Sequence, residues 1–285
     1  MKLSQEQDLL ADQLIQLALA EDVRDGDHTS LATVPGGIRR KVRLLCKEDG
    51  ILCGVGFAEK VIKAVDPEIT MEKILDDGEI IKPGVVAFYL EGSPVSLLTA
   101  ERILLNGMQR MSGIATQTRK LVNLISDTST VLLDTRKTAP GMRVLEKWAV
   151  KIGGGANHRM GLNDQILIKD NHVDFAGGIA NAIDKVHVYL DAKGMKQFIE
   201  IETRNFDEIE QVIKHGKVDR ILLDNFSPDD IRKALDLIDK RFQTEASGGI
   251  REENIREYAL TGVDFISMGA LTHQVKSLDL SLKAC

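Results

Sequence analysis

Six short apolar runs in the second half of the chain, each ending in a polar or glycine-rich cluster, constrain the fold more than any other feature. They read VLLDTRKT, QILIKDNH, QFIEIET, RILLDN, TEASGG and DFISMGALTH, and the last four begin about 20–25 residues apart. That is the length of one strand–helix unit. Strands of a parallel sheet are buried on both faces, so they run apolar, and only their C-terminal ends and following loops meet a ligand. The spacing predicts a parallel β/α barrel, although an open doubly wound sheet would give a similar pattern. The ending favours the barrel: ASGGI and SMGALTH match the paired phosphate-binding loops after the last two strands of many barrels.

The first part of the chain has a different texture. Residues 5–22 read as an amphipathic helix with Leu9, Leu10, Leu14, Ile15 and Leu17 at helical spacing. DVRDGDHTS reads as loop. From Ile38 to Val95, short apolar runs broken by EDG, DDG, KPG and EGSP predict a small β-rich layer. A long helical pattern follows to about Ile125, with Ser112-Gly113 either interrupting it or letting another helix approach closely. The change of texture divides the chain into 1–129 and 130–285, two ordinary domains for 285 residues.

Composition narrows the function. The formal net charge of −6 disfavours a nucleic-acid binder, which usually carries a basic excess. No apolar run approaches the ~18 residues a membrane span needs, and MKLSQEQDLL has no signal-peptide core. Cys46, Cys53 and Cys285 lack CxxC spacing and cannot all pair, which suits a reducing cytoplasm and disfavours a zinc ribbon.

Chemistry gathers at the strand ends. Asp134, Arg136 and Lys137 close the first run; three glycines precede His158 and Arg159; Lys169, Asp170 and His172 close the next. Glu200 and Glu202 share one face of a strand, and Asp224 and Asn225 end another. Singly, each Arg or Lys reads as a solvated surface charge, His158 as either a satisfied structural histidine or a ligand contact, tipped toward the contact by Arg159 beside it, and Glu200 as the partner of a neighbouring lysine. His28, His187 and His215 read as surface. Repetition at strand ends is the argument: Arg136, Lys137, His158, Arg159 and Lys169 would form a cationic bowl, costly to assemble without an anion to neutralise it. Ser247-Gly248-Gly249 and Gly269 suit backbone capture of a phosphate, while Glu202 and Asp224 suit sugar hydroxyls or Mg²⁺.

The block DTRKTAPGMRVLEKWAVKIGGGANHRMGLNDQILIKDNH resembles the signature region of the quinolinate phosphoribosyltransferases. EDVRDGDHTS, KEDGILCG, ERILLNGMQRMSGIATQT, IEIET, ILLDN, EASGGI and GVDFISMGALTH agree in order along nearly the whole chain. Departures are small: Ala139 and His28 replace residues more usual in the family. The resemblance implies an N-terminal open sandwich followed by an incomplete C-terminal β/α barrel, an α/β protein. It implies phosphoribosyl transfer from phosphoribosyl pyrophosphate to quinolinate with loss of CO₂, giving nicotinate mononucleotide for NAD biosynthesis, with Mg²⁺ as cofactor. Lys137, Lys169, Glu202 and Asp224 would then be catalytic, the last two also near the metal. Arg102, Arg136, His158, Arg159, Ser247, Gly248, Gly249, Gly269 and His273 would bind substrates, Arg102 from across a homodimer that can assemble further.

Three other readings stay open at this point. A barrel aldolase would use Lys169 as a Schiff-base nucleophile, a related transferase would accept nicotinate or another acid, and a phosphometabolite-binding module would bind without turnover.

Overall fold

The computed structural model describes residues 3–285 and separates into two units. One comprises the segment up to Lys120 with Lys137–Gly154 and Leu271–Cys285; the other comprises Leu121–Arg136 and Gly155–Ala270. The units are therefore not the contiguous halves 1–129 and 130–285. Two helices and one strand from the later sequence belong to the first unit, because their apolar residues and backbone groups find partners there.

The first unit begins with α1 (Gln5–Asp22), started by a capping box in which Ser4 and Gln7 exchange backbone-to-side-chain hydrogen bonds. Only Ala11 and Ile15 of α1 are buried; Leu9, Leu10 and Leu17 are exposed, so its apolar face is narrower than its leucines suggest. The last three residues of the expected loop open helix α2 (His28–Thr33), because Asp27 caps it by accepting from the Ser30 N–H at 3.1 Å. Next come β1 (Arg40–Cys46), β2 (Gly50–Ile51), α3 (Val55–Val65), β3 (Thr70–Lys73), β4 (Ile80–Ile81) and β5 (Val86–Gly92).

Helix α3 escapes a sequence reading because its cap is remote. Gly54 has no side chain to cap with, and Asp77 instead accepts from the Gly54 and Val55 N–H groups at 2.7 and 2.8 Å.

Helix α4 (Pro94–Leu124) runs unbroken through Ser112-Gly113. Ser112 Oγ accepts from the Cys53 N–H at 2.9 Å and donates to the Cys53 carbonyl at 3.1 Å, tying β2's neighbour to the helix. The small residues admit a loop rather than another helix: a Cβ on Gly113 would lie 2.2 Å from the Lys276 carbonyl oxygen. Alanine gains roughly 1 kcal/mol in helix propensity, but a backbone atom cannot swing aside, and overpacking costs about 1–3 kcal/mol. Gly113→Ala is therefore expected to lower the urea midpoint; an unchanged or higher midpoint would show that the loop yields freely.

β6 (Val131–Leu133) is the first strand of the second unit, and α5 (Arg143–Gly153) belongs to the first. Trp148 on α5 packs where Gly56 leaves room, 2.9 Å from the Cβ that residue lacks. The second unit continues with β7 (Ile166–Ile168), α6 (Asp170–Ala176), α7 (Ile179–Lys193), β8 (Ile199–Thr203), α8 (Phe206–His215), β9 (Arg220–Asp224), α9 (Pro228–Ile238), β10 (Gln243–Ser247), α10 (Ile255–Ala259) and β11 (Phe265–Ser267). The chain ends with α11 (Ala270–His273) and β12 (Leu280–Ala284). β12 completes the antiparallel sheet of the first unit, whose order is β12-β1-β5-β3.

All six runs singled out in the sequence are strands of one parallel sheet, in the order β6-β11-β10-β9-β8-β7. From β7 to β11 every strand neighbours its successor, and β11 then pairs with β6. A doubly wound sheet reverses its stepping direction at a switch point, and this order has none. It is a barrel sequence of six staves with an open seam between β6 and β7.

Register fixes which side chains share the inner face. One level holds Leu167, Glu200, Arg220 and Gln243; the next holds Glu202, Leu222, Glu245 and Phe265; Asp224 and Ser247 stand at the C-terminal rim. Isoleucines 199, 201, 221 and 266, on the other face, are buried under the helices. His187 and His215, as expected, serve the periphery: one contacts the Lys217 carbonyl at 2.8 Å, the other Asp184 at 3.0 Å, while His28 is largely exposed.

Candidate active site

The second unit carries most of the expected site at the C-terminal ends of its strands. Asp134, fully buried after β6, accepts from the His158 N–H at 2.9 Å and from the Asn157 amide at 2.5 Å. The three glycines that precede these residues are not a strand-end loop. Gly153 ends α5, and Gly154 caps it in the left-handed conformation at φ +100°, which glycine adopts without strain. Ala156 then bridges to Leu133 in parallel, and this bridge delivers His158 and Arg159 to the barrel.

Arg159 is almost completely buried, and its Nη1 donates to the Gln165 carbonyl at 3.3 Å. Among the described residues no carboxylate is in ion-pair contact with it. Burial, and next the charge of Arg136, lower the pKa of its guanidinium from the ordinary value; Glu200 and Asp164 oppose this more weakly. Two guanidiniums that repel each other in a desolvated place are stabilised by a bound anion.

Lys169 enters α6 with its N–H donating to His172 Nδ1 at 2.9 Å, while its Nζ meets Glu202 Oε2 at 3.1 Å. That pairing suits an ammonium, whereas a Schiff-base nucleophile needs a neutral amine. Asp224, two residues beyond the level of Glu202 on the neighbouring strand, accepts from the Asn225 amide at 2.6 Å. Gly248 and Gly249 both have positive φ, +89° and +65°. A Cβ on Gly248 would sit 2.2 Å from Asn225 Oδ1, so the turn passes against the residue that orients Asp224; Gly249 faces open space. Backbone N–H groups in such a turn form an anion-binding concavity. Gly269 follows β11, as the sequence predicts for the second loop of the pair.

Sequence reasoning missed the layer beneath. His158, mostly buried, has its Nε2 3.0 Å from Glu200 and 3.6 Å from Glu245, both fully buried. Glu200 therefore does not pair with a lysine. Arg220 reaches Glu245 at 2.8 Å and Glu200 at 4.0 Å, and it is stacked 3.9 Å from the Phe265 ring and 5.1 Å from Phe198. The three donors of His158, Glu200 and Glu245 lie within 4.8 Å of one another, a spacing a metal ion accepts, but Arg220 already supplies the cation. Charged residues alternating with isoleucine and leucine inside buried strands were the available signal.

Burial first, and the facing Glu200 second, push the Glu245 carboxyl up to about 7, against the pull of His158, Ser267 and Arg220. Between its ordinary 4.5 and 7 the folded protein keeps a proton that the unfolded chain releases, so Glu245 makes stability fall as pH rises through that window. The slope from this one group reaches at most about 1.4 kcal/mol per pH unit. Glu245→Gln is expected to flatten urea-derived stability between these limits; an unchanged slope would remove Glu245 as its source.

Arg102, Lys137 and His273 belong to the first unit. Arg102 is exposed on α4, and His273 is exposed at the end of α11. The Lys137 carbonyl accepts from Thr272 Oγ1 at 2.7 Å. Arg110, a residue the sequence did not single out, donates to Glu146 at 2.7 Å and to the Thr272 carbonyl at 2.9 Å. It thereby braces the segment that carries Lys137. Cavity size points elsewhere: a cleft of about 860 Å³ in the first unit, among α1, α3 and Trp148, holds none of the expected site residues.

Comparison with known proteins is consistent across sequence and structure. The family description "Quinolinate phosphoribosyl transferase, C-terminal domain" matches residues 114–283, and its N-terminal counterpart matches residues 27–112. A quinolinate phosphoribosyltransferase (decarboxylating) 1b of Nicotiana tabacum is 45% identical over 285 residues, covering 95% of this chain and 81% of the relative. A probable nicotinate-nucleotide pyrophosphorylase (carboxylating) of Bacillus subtilis is 40% identical over 262 residues, covering 92% and 89%. The solved nicotinate-nucleotide pyrophosphorylase from Francisella tularensis superposes with a TM-score of 0.91 at 43% identity, covering 100% of this chain and 98% of that one.

Proposed function

Because this chain belongs to the quinolinate phosphoribosyl transferase family, we propose that it transfers the phosphoribosyl group of phosphoribosyl pyrophosphate to the ring nitrogen of quinolinate, with release of pyrophosphate and CO₂, forming nicotinate mononucleotide for NAD biosynthesis. The observation that carries this reading is the buried Arg159 beside Arg136, a paired guanidinium site that asks for an anionic ligand with more than one carboxylate. Each guanidinium offers a planar fork to a carboxylate.

The family resemblance supports the following division of work. Arg136 and Arg159, with His158 adjoining, hold the dicarboxylate and aim its ring nitrogen at the ribose. Lys137 and Lys169 answer the negative charge of substrate carboxylates and departing pyrophosphate. Ser247, Gly248, Gly249, Gly269 and His273 hold the 5′-phosphate, and Arg102 comes from a second copy of the chain in a homodimer. Glu202 and Asp224, carboxylates at successive levels of one sheet face, suit a hard Mg²⁺ that keeps most of its ligands from water and phosphate; bound there, it would offset charge on the pyrophosphate.

Displacement at the anomeric carbon passes through an oxocarbenium-like state, for which preorganised charge and alignment matter more than a covalent nucleophile. After glycosylation the ring nitrogen is cationic. The bond from the adjacent carbon to its carboxylate can then break, leaving its electron pair on that carbon for a proton. Buried free thiols at Cys46 and Cys53 fit a reducing compartment such as the cytoplasm, and no described helix is long and apolar enough to cross a membrane.

The test is direct. Incubation with quinolinate labelled in its 2-carboxylate, phosphoribosyl pyrophosphate and Mg²⁺ should release labelled CO₂ and yield the mononucleotide, with nicotinate turned over far more slowly in parallel. No CO₂ from quinolinate, or preferential use of nicotinate, would overturn the assignment.

A further inference from the structure

We propose that Glu200 is a positioning residue for Arg159, acting through Gln165 and His158 in a closed ring of hydrogen bonds; the proposal rests on the substrate reading above. Glu200 Oε2 takes two contacts, from Gln165 Nε2 at 2.8 Å and from His158 Nε2 at 3.0 Å. His158 Nδ1 accepts from the Arg159 N–H at 2.7 Å. Arg159 Nη1 donates to the Gln165 carbonyl at 3.3 Å. The path returns through Gln165 to the carboxylate where it began, and Arg159 is gripped at both its backbone and its guanidinium.

The ring matters because the segment that carries Arg159 has no regular structure of its own. Residues 158–165 lie between an isolated bridge and the start of β7. Asp164 steadies part of that segment by accepting from the Met160 and Gly161 N–H groups at 2.5 and 2.8 Å. These bonds leave the Arg159 side chain unconstrained. Glu200 sits on β8, hydrogen-bonded to a strand on either side and fully buried. It therefore refers a loop cation to the most rigid element available.

The geometry also fixes the imidazole. With its Nδ1 lone pair occupied by the Arg159 N–H, the His158 ring carries its proton on Nε2 and donates it to Glu200. A carboxylate is suited to this place because two donors converge on one oxygen, and an ionised acceptor makes the shorter, stronger bonds. Glutamine at 200 would keep an acceptor but not the charge. It would also remove a buried charge facing Glu245, so Glu200→Gln is not expected to unfold the protein. Gln165→Leu approaches the ring from the opposite side, at a half-buried residue, and leaves the His158–Glu200 contact in place.

Steady-state kinetics and ¹⁵N-histidine NMR on the full-length protein test the proposal. Both variants are expected to raise KM for quinolinate by about tenfold, the scale of one charge-assisted hydrogen bond, with KM for phosphoribosyl pyrophosphate unchanged. In the absence of substrate, wild type and Gln165→Leu should show the Nε2–H tautomer of His158, and Glu200→Gln should lose that fixed pattern. An unmoved quinolinate KM in an active, folded variant overturns the positioning role, as does an equal rise in both KM values or an Nδ1–H tautomer in wild type. A wild type that consumes no quinolinate instead defeats the substrate reading on which the proposal stands.

Discussion

Arg159→Ala is expected to lower kcat/KM for quinolinate by about two to three orders of magnitude, the cost of truncating one partner of a buried, hydrogen-bonded charge pair. Thermal stability should barely change. In the free protein the Arg159 guanidinium donates to the Gln165 carbonyl and has a like charge beside it, so its removal takes away repulsion as well as contact. Arg136→Ala should act in the same direction. Arg159→Lys should recover only part of the loss, because an ammonium supplies charge without the planar fork. Initial rates at varied quinolinate, set beside melting curves, separate binding loss from unfolding. Wild-type kcat/KM in both alanine variants would remove the two arginines from the site.

Arg220→Met should have the largest effect on stability, a loss of about 3–5 kcal/mol by urea titration. Methionine fills the space between Phe198 and Phe265 acceptably but leaves Glu200 and Glu245 buried without their cation. Breaking such a group by removing one member is costly, whereas replacing all its charges by neutral groups is often tolerated. The triple variant Arg220→Met, Glu200→Gln, Glu245→Gln is accordingly expected to regain most of the loss. A single variant within 1 kcal/mol of wild type would mean that water or a proton already compensates the two carboxylates.

The parts of this protein that were legible in its sequence are those decided locally. A β-strand buried on both faces announces itself by composition, and its end by the first polar residues, so all six staves and Lys169, Glu202, Asp224 and Ser247 at their ends could be read. The parts that were not legible depend on distant partners. Helix α3 is capped from Asp77, and the WAVKIGGG segment is a helix whose Trp148 needs the gap at Gly56. Glu200, Arg220 and Glu245 look like surface charges one at a time; only the register that aligns three strands turns them into one neutralising cluster. Strand order likewise settles the choice between barrel and doubly wound sheet, which no run of residues specifies alone.

The pairing of β1 with β12 also bears on how the chain is made. Leu44 meets Leu282 and Cys46 meets Leu280, so a sheet begun with β1 takes its outer strand from residues that follow the whole parallel sheet in sequence. During translation β1 must wait, with one edge unpaired, while every stave of the parallel sheet emerges. Strand edges left open in this way are sites of misassociation, and contacts between residues far apart in sequence are slow to form. The β/α unit, built from neighbours in sequence, can organise on the ribosome first. Emergence of β12 is then the event that completes the sheet of the other unit.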